Sequence, residues 1–248
     1  MTEMKFKMPS LNGVMPEALF LQNLPSIAVS RFLNPISNSR VLDMCASPGG
    51  KTCHTAALMN NTGTIFALDK IQKKTIAIQQ NCDRLGIENV QVITSDSSML
   101  IENGIFEAES FDYIILDPPC SGLGLRPNLK ICVSQFDNAT SFAPYQRKLF
   151  QQAWALLKPG GRMSYSTCTL NPLENEVLVD KMLNIFKNSK LAPIRSGILE
   201  KYCLPGLVTG GLSQEICETS ICRFFPSTEH DTIGFFFVIF EKTANKID

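Results

Sequence analysis

The chain has 248 residues, 44% hydrophobic and 19% charged, enough for one well-filled core and ordinary for a soluble globular protein. Its 23 basic residues balance 23 acidic ones, which argues against nucleic-acid binding driven by net charge alone and leaves room for a local basic patch. The longest apolar run is Ile233–Phe240, far short of a membrane span, and MTEMKFKMPS has no apolar h-region, so neither a spanning helix nor a secretory signal is expected.

Residues 1–16, punctuated by Pro9, Gly13 and Pro16, read as a leader or linker. A helical apolar pattern follows Pro25: Ile27, Ala28, Phe32 and Leu33. Arg40–Met44 reads as a first strand, CASPGGKT as a loop, and KTCHTAALM as a helix from Lys51. TIFALD is a second strand, Lys73–Leu85 a helix stopped by Gly86, and Val90–Thr94 a third strand. Residues 97–110 read as a short helix plus loop, and Phe111–Leu116 as a fourth, fully buried strand that Pro118 and Pro119 terminate. Residues 121–143 read as a long irregular connection and Tyr145–Lys158 as a helix ended by Pro159-Gly160-Gly161. Arg162–Ser166 is the fifth strand. Asn171-Pro172 with Glu174 has the pattern of a helix N-cap, first turn and capping box, with the helix running to Phe186. Residues 187–231 carry no clear period, and Ile233–Glu241 is a last strand. Strands alternating with helices imply βαβ units and a mostly parallel sheet.

Nine cysteines, an odd number with no CxxC pair, and only two histidines, His54 and His230, point to reduced thiols in a cytoplasmic protein. They do not support a disulfide framework, a zinc site or a histidine triad. No metal is expected.

Asp43–Thr52, DMCASPGGKT, lies between a strand and a helix, where glycines let backbone N–H groups approach a ligand. A Walker loop needs a glycine five residues before Gly50, where Cys45 stands, and the G-x-G-x-x-G fingerprint is absent. S-adenosylmethionine remains, since such a loop can hold its amino-acid end without any phosphate. Asp69 at the end of the second strand would accept from the ribose hydroxyls, and Asp96 at the end of the third would meet the adenine amino group.

Cys120 and Cys168 each follow a buried strand, whereas Cys45, Cys53, Cys82 and the three C-terminal cysteines are read as packing residues. Methyl transfer from a sulfonium to C5 of cytosine requires a thiolate on C6, and an acid near N3 stabilises the charge on the ring. DPPC and TC supply one acid, Asp117, and two thiols.

VLDMCASPGGKT, FDYIILDPPCSG, LLKPGGRMSYSTCT and GFFFVIFEK resemble the Sun/Fmu-type RNA cytosine-C5 methyltransferases over residues 17–241, and PCSG together with STCT is the specific signature. FLQNLPS and GLGLRPN are most similar to the branch that modifies a cytosine in the tRNA acceptor stem. The resemblance implies a Rossmann-like class I S-adenosylmethionine-dependent methyltransferase, α/β with a doubly wound sheet, occupying residues 17–248. It implies Cys168 as nucleophile, Cys120 as the thiol that assists release, and Asp117 on the cytosine ring. It implies that Cys45, Ala46, Ser47, Pro48, Gly49, Gly50, Lys51, Asp69, Lys74, Asp96 and Asp117 line the cofactor site, with Ser47 replacing the family's usual alanine. In that branch a PUA domain helps hold the tRNA. None is visible here, so weak tRNA binding by a monomer is expected, with Arg126, Lys130, Arg147 and Lys148 near the phosphates and an accessory RNA-binding partner.

Three other functions compete. A DNA cytosine methyltransferase would use Cys120 as nucleophile, and the ENE-V run at Glu174–Val177 is superficially similar to its later motif. A catalytically weak cofactor-binding subunit would bind S-adenosylmethionine without turnover. A nitrogen methyltransferase would favour an aromatic residue where Cys120 stands.

Overall fold

The computed structural model describes residues 19–125, 133–195, 197–226 and 231–244, with backbone alone at 133–140 and 198. The expected leader, Arg126, Lys130 and His230 lie outside the described residues. Eight strands form one sheet in the order β3-β2-β1-β4-β5-β8-β6, with β7 pairing on β8. They are β1 (Arg40–Asp43), β2 (Thr64–Asp69), β3 (Val90–Thr94), β4 (Phe111–Leu116), β5 (Leu157–Thr167), β6 (Ser189–Leu191), β7 (Ile221–Phe224) and β8 (Phe235–Lys242). The first five pair in parallel, and β8 runs antiparallel to β5, β6 and β7. The helices are α1 (Leu24–Leu33), α2 (Gly50–Leu58), α3 (Gln72–Arg84), α4 (Val133–Leu156), α5 (Glu176–Ile185) and α6 (Gln214–Ser220). No helix among the described residues is long and apolar enough to cross a membrane.

Alternation across the pleat explains the continuous apolar strands. In β8, Phe236, Val238 and Phe240 join one core with α4 and α5, while Phe235, Phe237 and Ile239 join a second core with Val29 and Leu33 of α1. In β4, Ile114 and Ile115 divide the same way. Each such side chain, fully buried, contributes about 1.5–3 kcal/mol.

Three sequence expectations need correction. The connection after β4 is shorter than read, because α4 begins at Val133 and passes through Pro144; a proline inside a helix forfeits one backbone hydrogen bond without obligatory termination. Pro159-Gly160-Gly161 does not separate helix from strand. It lies within β5, where Gly160 has φ 81° and the β4–β5 register shifts. The capping-box pattern at Asn171 does not start α5. Asn171 accepts from Leu173 N–H in a turn, and the helix begins at Glu176.

The stretch 187–231 was unreadable because its elements are short. It holds β6, a 3-10 turn over Gly197–Lys201, α6 and β7. Its anchor is buried Arg223, which donates to Glu176 at 2.5 Å and to the Leu170 carbonyl at 2.6 Å.

Candidate active site

Strands β1 and β4 are adjacent, yet their crossovers leave toward opposite edges of the sheet, so a crevice opens at their carboxyl ends. Three loops meet there, after β1, β4 and β5. The β1–α2 loop is held by its backbone: Met44 N–H donates to the Ile115 carbonyl at 3.1 Å and Ala46 N–H to the Leu68 carbonyl at 2.8 Å. Gly49, with φ 103°, forms the N-cap of α2, a conformation that favours glycine. Below the loop, buried Asp43 accepts from Thr52 at 2.7 Å. Burial pushes its pKa up to about 7, opposed by Thr52 and by the charge of Lys51.

A cavity of about 520 Å³ lies across the crevice and is lined by Cys45, Ser47, Asp69, Lys74, Asp117, Cys120 and Cys168, among others. A second cavity of about 280 Å³ adjoins it on the other side of the loop and adds Ala46, Pro48, Gly50 and Lys51. The structure thus gathers nearly all the residues singled out in sequence. Gly49 lines neither cavity and sits against Ile78. Asp96 also lines neither. It stands at the rim, accepting from Ser98 N–H at 2.9 Å and from Tyr145 Oη at 3.2 Å, with Lys70 at 3.9 Å. Burial would raise its pKa, but those hydrogen bonds and Lys70 outweigh it and hold the carboxyl low. Cys45, read both as packing and as cofactor-lining, is half-buried in the cavity wall, and burial pushes its thiol far up.

Asp69 Oδ1 accepts from Ile71 N–H at 3.1 Å and Oδ2 lies 3.7 Å from Lys74 Nζ. Asp117 is gripped from two sides, by Lys51 Nζ at 2.5 Å and Ser166 Oγ at 2.9 Å. The sulfurs of Cys120 and Cys168 are 3.3 Å apart. Their shared hydrogen bond drives the two thiols in opposite directions: it holds Cys168 below its ordinary value and, with burial, pushes Cys120 well up. Lys51 adds to the lowering at Cys168.

Sequence reading missed the supports behind these loops. Gly124 N–H donates to the Cys168 carbonyl at 2.9 Å, and Gly234 N–H to the Gly124 carbonyl at 2.8 Å. A Cβ on Gly124 would lie 2.0 Å from the Gly234 carbonyl oxygen, so the approach requires glycine. Half-buried Ser121 and buried Gln146 form a polar hub around the buried carboxyl of Glu174. Glu174 had a signal, the ENE run, but lines neither cavity.

This sheet order, with one antiparallel strand inserted beside the fifth, defines the class I S-adenosylmethionine-dependent methyltransferase fold. The family model described as 16S rRNA methyltransferase RsmB/F matches residues 30–241, and the chain belongs to that family. It is 43% identical over 236 residues to the tRNA (cytosine(72)-C(5))-methyltransferase NSUN6 of Mus musculus, covering 92% of this chain and 48% of that protein. It is 35% identical over 244 residues to the tRNA (cytosine(72)-C(5))-methyltransferase of Pyrococcus horikoshii, covering 97% and 57%. The crystal structure of NSun6 from Pyrococcus horikoshii with SFG superposes with a TM-score of 0.76 at 33% identity, covering 96% of this chain and 57% of that one. The chain spans about half the length of the curated mammalian relatives it matches.

Proposed function

We propose that this chain methylates C5 of a cytosine in RNA, a tRNA by its likeness to the relatives above, and that residues 17–248 are the catalytic domain. The observation that carries the reading is the thiol pair: two sulfurs 3.3 Å apart, one held low and one high, beside a lysine–aspartate pair at a cofactor-sized cavity. The residues fit S-adenosylmethionine. A strand-end carboxylate, Asp69, stands in the cavity, and the glycine loop has Cys45 where a triphosphate loop would need glycine. Lys74 at the cavity wall and Asp96 at its rim are the weaker contributors.

When bound, S-adenosylmethionine supplies an electrophilic methyl group. Cys168 adds to C6 of the cytosine, forming an S–C6 bond and making C5 nucleophilic. Asp117, oriented by Lys51 and Ser166, takes a proton from Lys51 Nζ across their hydrogen bond and donates it to N3, neutralising the charge that develops on the ring as the thiolate adds. After methyl transfer a base takes the C5 proton, its electron pair forms the C5–C6 double bond, and the S–C6 bond breaks to return Cys168. Cys120, whose sulfur lies 3.3 Å from that of Cys168, assists the elimination. The Lys51 charge lowers the pKa of Cys168 and is not among the causes acting on Cys120, and the chain belongs to the RNA family whose resemblance implies the STCT cysteine as nucleophile, so Cys168 is preferred to the DNA-type assignment. The target base must leave its stack to reach these loops.

Balanced charge supports weak, salt-sensitive tRNA binding and an accessory RNA-binding partner for a monomer. The unpaired thiols support a reducing, cytoplasmic setting. The test is a denaturing gel with labelled tRNA and S-adenosylmethionine. Cys120→Ala should accumulate a protein–RNA adduct, while Cys168→Ala and the double variant should not. An adduct with Cys168→Ala that vanishes with Cys120→Ala reverses the roles.

A further inference from the structure

The tripeptide Glu174-Asn175-Glu176 is wholly buried, although all three side chains are polar. Each ties down a different segment. Glu176 holds Arg223. Asn175 brackets the Cys168 turn, accepting from Thr167 Oγ1 at 2.6 Å and donating to the Thr169 carbonyl at 3.0 Å. Glu174 reaches across to the Cys120 loop. Its Oε2 accepts from Ser121 N–H at 3.1 Å and Gln146 Nε2 at 2.8 Å, and its Oε1 accepts from Ser121 Oγ at 2.5 Å and Asn171 Nδ2 at 3.1 Å. Gln146 donates in turn to the Pro119 carbonyl at 3.0 Å, and Ser121 Oγ lies 2.8 Å from Thr169 Oγ1. The residues on both sides of Cys120 and the residue after Cys168 are therefore fastened to one carboxyl group.

We propose that Glu174 is a positioning residue that fixes Cys120 against Cys168 and so sets the rate at which the RNA adduct is released. The inference rests on the thiol roles proposed above. A buried group with four donors around it is costly to disturb. Its partners lie on the Cys120 and Cys168 loops and not on the glycine loop or at Asp69, so its loss should act mainly on the thiol step and leave cofactor binding near wild type. Glutamine at this position keeps the shape, but whichever way its amide turns, the NH₂ meets an N–H donor: Ser121 and Gln146 on one side, Asn171 on the other.

The experiment compares wild type, Glu174→Gln, Cys120→Ala and the double variant by turnover, adduct on a denaturing gel, S-adenosylmethionine affinity and melting. Glu174→Gln should lower turnover about tenfold, equivalent to ~1.4 kcal/mol, leave cofactor affinity within about twofold, and raise the trapped adduct toward the Cys120→Ala level. In the double variant the adduct should not rise further, because both changes act on one step. Turnover, adduct and cofactor affinity falling together would overturn the proposal and leave Glu174 a general scaffold residue. So would a double variant whose adduct increase is the full product of the single ones. If Glu174→Gln does not fold, Ser121→Ala removes one hydroxyl while keeping the backbone N–H bond, and the same comparison applies. Absence of adduct with Cys120→Ala sinks the thiol assignment and this inference with it. Adduct with Cys120→Ala but with neither Glu174→Gln nor Ser121→Ala overturns this inference alone.

Discussion

Asp69→Ala tests the cofactor side of the site quantitatively. The Asp69 side chain is 9% exposed, and its Oδ1 is committed to Ile71 N–H, which leaves Oδ2 as the acceptor for a ribose hydroxyl. A hydrogen bond to a charged acceptor contributes about 1.5–3 kcal/mol, so its loss should weaken S-adenosylmethionine binding roughly 10- to 150-fold. Losing the Ile71 turn costs stability rather than affinity, on the order of 1 kcal/mol, or about 2–4 °C in Tm for a chain this size. Lys74 gives the internal comparison. Its side chain is 51% exposed and its pair with Asp69 spans 3.7 Å. Exposed pairs of this kind contribute about 0–1 kcal/mol, so Lys74→Ala should change affinity by no more than about fivefold. Isothermal calorimetry with S-adenosylmethionine, alongside thermal melting of each variant, separates the two effects. An Asp69→Ala affinity within about twofold of wild type, in a protein that still melts cooperatively, would refute the ribose assignment. A larger loss from Lys74→Ala than from Asp69→Ala would show that the cofactor contacts the start of α3 instead.

Cys168 should be alkylated by iodoacetamide at lower pH than an ordinary thiol, because the thiolate is the reactive form and the hydrogen bond from Cys120, with Lys51, lowers its pKa. Cys120→Ala removes that donor, so the acid limb of peptide-resolved labelling should move to higher pH; an unmoved limb, or one displaced to lower pH, counts against the assignment, and adduct trapping in this variant belongs on the alkaline side. Arg223→Met leaves Glu176 buried without its partner, in a pair only 2% and 0% exposed. The expected cost is about 3–5 kcal/mol, seen as a calorimetric Tm loss of roughly 6–20 °C that Arg223→Met with Glu176→Leu should largely restore; a Tm loss smaller than about 2 °C would show that the pair is not a structural anchor.

The parts of the site legible in sequence share a physical cause. Parallel strands buried on both faces read as unbroken apolar runs, so the first polar residue after each run marks a carboxyl end. Asp69 and Asp117 stand at such ends, and β2 and β4 have the bounds their sequences suggest. The glycine loop was legible because a tight strand-to-helix turn constrains residue type locally. Glu174 was misread because its local pattern, three residues after Asn171 with proline between, matches a capping box. Asn171 is its one local partner, donating side chain to side chain; the others stand 53 residues away at Ser121 and 28 away at Gln146. Gly124 and Gly234 were invisible for the same reason: each is required by the other's backbone, across the fold.

That division bears on how the chemistry is built. Residues proposed to touch cofactor or base sit on loops whose local sequence announces them, and any of these loops would form in many folds of this class. The relative placement of the two thiols has no local signature. It depends on Glu174 and Asn175 at the entrance to α5 and on the crossing of Gly124 with Gly234, which joins the Cys168 turn to the segment leading into β8. Strand β8 is itself the antiparallel strand beside β5, buried on both faces. A deep sheet insertion therefore fixes the back of the Cys168 loop, and a buried carboxyl fixes the back of the Cys120 loop. Between these two supports the sulfurs rest 3.3 Å apart. The thiol pair is thus fastened through β4, β5, α5 and β8, whereas the glycine loop and Asp69 belong to β1 and β2, and variants in the two sets should separate adduct chemistry from cofactor affinity.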